Sequence, residues 1–176
     1  MDLGNTLAEL NPGDSVDTAG VFDVPHFDMH FYMTDKASVM AINPSDPNYA
    51  TEAAHFPDSK YVPAGYEPES GSPPAKIATP MMGLHWEDNP AAYVPHHYNF
   101  TQTLINGSWD GKYTFVEPMI TRDWLLSKPT PVRGDVPQPQ AFQRAGYFPT
   151  TYRVQYDSTA DAYSISLDGM KMHQAG

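Results

Sequence analysis

Pro25-His26-Phe27-Asp28-Met29-His30-Phe31-Tyr32-Met33 sets three side chains that can ligate a metal or move a proton at alternate positions. Read with a period of two, His26, Asp28 and His30 share one face of a strand, and Phe27, Met29, Phe31 and Met33 share the other. The apolar set is what a strand buries against a core. The polar set is unusual on a surface that faces a cavity, unless it holds an ion or does acid–base work. Neighbours two apart on a strand stand ~6.6 Å apart, so one ion can bridge them. His26 and His30 are ~13 Å apart along a regular strand, which requires a bulge before both can reach one ion. The plain alternative is a solvated face with two surface histidines, although Asp between them is poor strand chemistry without a purpose.

Two further segments offer matching groups. In Met82-Gly83-Leu84-His85-Trp86, Gly83 permits a close backbone approach or a positive φ, and His85 follows beside a large aromatic residue. In Lys112 to Glu117, Tyr113, Phe115 and Glu117 share a face, and Pro118 places Glu117 at the strand's end. His26, His30, His85 and Glu117 are therefore the candidate metal ligands. Asp28 is an alternative ligand, or a group that orients a ligand histidine. The chain has no cysteine. Thiolate sites, disulfides and a cysteine nucleophile are thus excluded, and a His/carboxylate set suits a divalent ion such as Zn, Cu, Mn or Fe. No phosphate-binding glycine loop, Gly-x-Ser-x-Gly elbow or His-Glu-x-x-His helix is present, so no other cofactor-binding motif is expected.

Positioning these groups falls to a chain of 176 residues, enough for a single domain with its own core. The 18 prolines and 12 glycines predict long anchored loops. Residues 1–20 form an arm with a turn at Asn11-Pro12-Gly13-Asp14, a short strand or helical turn over Asn5 to Leu10, and Leu7 and Leu10 as core. Val24 to Met33 is the central strand. Thr34 caps a helix from Asp35 to Ile42, stopped by Asn43-Pro44. Residues 43–80 hold 8 of the 18 prolines, but Tyr49, Phe56, Tyr61, Tyr66 and Ile77 recur as anchors, which predicts an ordered wrapping loop. Phe100 to Ile105 and Lys112 to Glu117 read as paired strands, with turn signals at Asn106-Gly107 and Asp110-Gly111. Thr121 caps a helix over Arg122 to Ser127. Residues 128–140 are a Pro-rich linker. A hairpin over residues 152–168 closes the chain and leaves a frayed tail from Lys171, His173 included. His55 reads as a surface group, and His96-His97 as either a solvated pair or a rim feature. The sum is a mostly β chain, a compact barrel or jelly roll of cupin-like kind with two short helices. Cupin spacing itself is absent, so that analogy is one of architecture.

The three motifs, Pro25 to Tyr32, Met82 to Trp86, and Asp110-Gly111 leading to Phe115-Val116-Glu117-Pro118-Met119-Ile120-Thr121, resemble a bacterial domain-of-unknown-function family. The likeness runs from about Asn11 to Leu167. It implies a mostly β fold and an exported or envelope-associated protein, and it names no reaction. Many members of that family carry a His-Gly-His-Glu-Pro run before the first motif, where this chain has Gly13-Asp14-Ser15-Val16-Asp17-Thr18. If that run ligates, the site here is reduced.

Charge narrows the partners. A formal net charge of −11 argues against nucleic acid and anionic membrane, and suits cations or neutral substrates. No apolar run is long enough to span a membrane. The Met1-Asp2-Leu3-Gly4 start fits either a mature secreted domain or a cytosolic protein, and the cysteine-free, Tyr-rich composition leans toward export. The leading expectation is a mononuclear metalloenzyme acting on a small or carbohydrate-like substrate. The alternative is a non-catalytic, oligomeric envelope or stress-related module, its metal structural or absent and its exposed aromatics serving subunit contacts. Last comes a metal-free hydrolase using Asp28 and Glu117.

Overall fold

A computed structural model describes residues 6–11, 20–68 and 72–176; of residues 6–11 it describes the backbone. The period-two pattern around His30 folds as expected, into β2 (His26–Tyr32), and its strand partners assemble into a six-stranded antiparallel sheet. The sheet order is β1 (Thr6–Asn11), β2, β6 (Lys112–Thr121), β5 (Gln102–Trp109), β4 (Leu84–Asp88) and β3 (Tyr66–Pro68). A second sheet pairs β10 (Ala162–Asp168), β9 (Thr151–Asp157) and β7 (Val132–Asp135), and β8 (Gly146–Phe148) pairs β11 (Lys171–His173). The predicted C-terminal hairpin is thus β9–β10, with Asp157 Oδ1 accepting from the Thr159 and Ala160 amides in its turn. The strand expected in the arm is β1, whereas the turn at residues 12–14 and the Leu7 and Leu10 side chains lie outside what is described.

Mostly β is the right class, but the six-stranded sheet does not close into the expected barrel: β1 and β3 remain its two edges. β3 has three residues and ends in Pro68, which has no N–H to donate, so it is a poor template for a closing partner. Among the described residues four short α-helices form instead of two: α1 (Lys36–Met40), α2 (Tyr49–Ala54), α3 (Pro74–Ile77) and α4 (Arg122–Leu126). α2, α3 and β3 lie inside the Pro-rich stretch 43–80, which is ordered where described, as its aromatic anchors predict. α4 is capped by Thr121 Oγ1 as predicted; α1 is capped by Asp35, one residue later than Thr34, because the Asp35 carboxylate accepts from both Ser38 N and Ser38 Oγ.

Three local expectations are corrected. Asn106-Gly107 is no turn but the interior of β5, and the β5–β6 turn is Asp110-Gly111, both at positive φ. Pro118 does not end its strand; it sits inside β6, so Glu117 is mid-strand. The β2–β6 pairing lapses there, between Asp28–Met119 and Phe31–Val116, as expected where a residue lacks an N–H. The tail from Lys171 is not frayed, since β11 pairs β8 and His173 packs 4.0 Å from the Phe142 ring.

Both faces of the large sheet are covered. Cross-strand partners share a face, so His26, Asp28, His30 and Tyr32 of β2 lie with Phe115, Glu117, Met119 and Thr121 of β6. Over this face pack Val21, Phe22, Tyr93, Tyr98 and Phe100 at one end and Val39 of α1 at the other. The opposite face carries Phe27, Met29 and Ile120 against Leu125, Val154 and Ile165, and so against the second sheet. The histidine face of β2 is therefore the more deeply buried of its two faces, with the phenylalanine face half-buried.

A candidate metal centre

His30 belongs to β2, Glu117 to β6 and His85 to β4, so their meeting depends on the curl of the sheet. From β2 to β4 is three strand steps, ~14 Å in a flat sheet. Yet His30 Nε2 lies 3.3 Å from His85 Nε2. Between His85 and Phe115 the inner face of β5 carries Gly107, the partner of His85 on one side and of Phe115 on the other. The Phe115 ring occupies that gap so closely that a Cβ on Gly107 would stand 1.9 Å from it. The ring in turn packs against both histidines, at 4.8 Å from His30 and 5.2 Å from His85. Gly83, as expected, combines a φ of +119° with a close approach, here to the Ser108 carbonyl, and so seats β4 beside β5. Trp86 Nε1 donates to Ser108 Oγ on the far face and locks that register.

Three donor atoms converge. Glu117 Oε2 lies 3.3 Å from His30 Nε2 and 3.5 Å from His85 Nε2, closing a nearly equilateral triangle with the 3.3 Å His–His edge. Charge-assisted N–H···O bonds run ~2.7–2.9 Å, so these edges are long for direct pairing. They do match the edge of a tetrahedron with ~2.0–2.1 Å bonds to nitrogen and oxygen, which is ~3.3–3.4 Å. His30 and Glu117 side chains are 1% and 2% exposed, whereas His85 is 24% exposed, so solvent reaches the cluster from the β4 side. Burial, with His85 beside it, pushes the His30 pKa down to about 2. Burial likewise pushes His85 down to about 4, against the pull of the nearby Asp28 carboxylate. Both imidazoles are neutral at pH 7, the form that offers a lone pair to a metal.

His26 is not brought into this cluster. Its Nδ1 donates to Val24 O at 2.7 Å and its Nε2 lies 3.0 Å from Asp28 Oδ1, so both nitrogens face oxygen acceptors at the far end of β2. No bulge shortens the ~13 Å step from His26 to His30. Asp28 thus sits against His26, four residues of strand holding the pair and the cluster on one face. Of the other histidines, His55 is exposed and faces Asp110, and His96 and His97 are exposed, as expected of surface groups.

Phe115 was legible as a facial companion of Glu117, but Tyr113 is not. The β5–β6 register shifts between Gly107 and Ser108, leaving Thr114 without a partner on β5. Tyr113 is thereby carried to the opposite face, where its hydroxyl donates to Asn106 Oδ1 at 2.6 Å. Gly107 was missed as a spacer because its Asn-Gly pairing imitates a turn. No family model matches this chain, and no curated protein or solved structure does.

Proposed function

We propose that the protein binds one divalent transition-metal ion through His30 Nε2, His85 Nε2 and Glu117 Oε2, and that it acts as a mononuclear metalloenzyme on a small or carbohydrate-like substrate. The triangle of donor atoms at 3.3–3.5 Å carries the reading. Two neutral imidazoles and one carboxylate leave a position for water or substrate, as in hydrolytic zinc sites and in non-haem iron sites. The partly exposed His85 supports access at that position, and the bound ion would act as Lewis acid or activate its water. Element analysis of the untagged protein beside His30→Ala and His85→Ala tests this. About one equivalent of Zn, Cu, Mn or Fe, lost in both variants, is expected; equal metal in all three, or none after incubation with each ion, would reject it.

A second reading is supported by the curl of the sheet. An ion joining β2, β6 and β4 would staple β4 to two strands that it reaches by hydrogen bonds only through β5, and a non-catalytic module would need nothing more. Cobalt substitution separates the two. A change of the visible bands on adding azide means an open position, whereas unchanged bands with a large rise in melting temperature mean a closed structural site.

A further inference from the structure

We propose that a cavity of about 370 Å³ on the opposite face of the large sheet from the metal cluster binds a small monocarboxylate with an apolar body of medium-chain length. Its floor is Met33, Val116, Val136, Phe142 and Phe148, all members of one buried cluster. Nothing on that floor asks for a polar ligand body.

The rim is different. Lys112 and Arg144 line the cavity and are exposed at its mouth, and neither forms an ion pair among the described residues. Among the described residues no Asp or Glu lines the cavity, in a chain with 21 acidic residues against 10 basic. Two uncompensated cations over an apolar well select a single negative charge at the end of an apolar group. The β-bulge adds a polar anchor. Thr114 is 4% exposed, lines the cavity, and its Oγ1 has no hydrogen-bond partner among the described residues. Such a hydroxyl is stabilised by a ligand oxygen that reaches it.

The walls are already fixed in place, which lowers the cost of ordering on binding. Gln143 accepts from Tyr113 N at 2.9 Å and donates to Gly111 O at 2.7 Å, holding the β5–β6 hairpin. Gln138 donates to Val136 O and Pro149 O across the opposite wall, flanked by Pro137 and Pro139. A methylene fills roughly the ~30 Å³ of a water molecule, so a chain of about eight to twelve carbons suits this volume.

Titration calorimetry with decanoate, 1-decanol and decylamine, below their micelle concentrations, tests the assignment. Decanoate should bind one to one and at least about tenfold more tightly than the alcohol or the amine. In Lys112→Met/Arg144→Met, whose substitutions are both exposed, decanoate should fall to the level of decanol while decanol is unchanged. His85→Ala should bind decanoate as the parent does, which separates this site from the metal cluster. Absence of decanoate binding, equal binding of alcohol or amine, undiminished decanoate binding by the double variant, or its loss in His85→Ala would each overturn the proposal. The three ligand arms on the unmodified protein decide the charge preference whatever the variants do.

Discussion

At one end of β2, His26 lies 2.7 Å from the Val24 carbonyl and 3.0 Å from Asp28; at the other, His30 faces His85 and Glu117 at 3.3 Å each. Strand, face and residue type are the same, and both side chains are at most 1% exposed. What differs is where the partners come from. The two polar contacts of His26, at Val24 and Asp28, come from within two residues of itself, at the distances of direct polar contact. His30 takes its partners from β4 and β6, at distances that leave room for an ion between them. A local pair fastens a strand, whereas a convergence of three strands on one point, with edges of 3.3–3.5 Å that fit around an ion, is what a ligand set requires.

The largest effect separating the two ends should come from His26→Ala. It removes the imidazole that stands 3.0 Å from the buried Asp28 carboxylate, and losing one member of a buried pair costs about 3–5 kcal/mol. Chemical denaturation should register that loss, while the variant that remains folded still takes up a full equivalent of metal. Metal loss in step with His26 would merge the two ends into one site. The reverse pattern is expected of His85→Ala. Removing this partly exposed member of the proposed ligand set should lower metal affinity by about a hundredfold or more, with the metal-free melting temperature nearly unchanged.

How much of this was legible follows from the same contrast. The alternation of β2, the caps at Thr121 and the C-terminal hairpin are written in a few adjacent residues, and they were read correctly. His30, His85 and Glu117 were singled out from their residue types, and the structure brings those three together. Their convergence was not readable from spacing, because it depends on β5 lying between β4 and β6 and on the curl that Gly107 and Phe115 permit. Asn106-Gly107 misled because Asn-Gly is a hairpin signal when the glycine is needed for its φ, and here it is needed for its missing Cβ. Pro118 misled likewise, since a proline usually marks a strand's end, and β6 tolerates it at a lapse in the pairing. Which face of β2 is the more buried depends on the covering residues 21–22 and 93–100, which no local pattern announces.

Gly107→Ala probes the cluster end without touching a ligand. A Cβ 1.9 Å from the Phe115 ring forces that ring to move, and such overpacking costs about 1–3 kcal/mol. Because the ring packs on both histidines, metal affinity should fall as well, by about tenfold. Phe115→Leu in the same chain should restore part of both, a coupling measurable as a double-mutant cycle. Independent, additive losses would mean that the ring does not set the spacing of His30 and His85.

The last contrast lies in the pH dependence of the metal-free protein. In the unfolded chain both cluster histidines take up protons below pH 6.5, but in the fold burial delays this to about 2 for His30 and about 4 for His85. Between those values the unfolded state holds more protons, so stability is fully present above about pH 7 and falls as pH drops through 6.5 toward 4. Each histidine contributes at most ~1.4 kcal/mol per pH unit in that window. Denaturation curves at pH 7, 6, 5.5 and 5 should therefore steepen by about one proton per histidine, and His85→Ala should lose one of the two. A slope identical in parent and variant would show that His85 does not stay neutral in the fold, and the cluster would then lack the second lone pair that a metal needs.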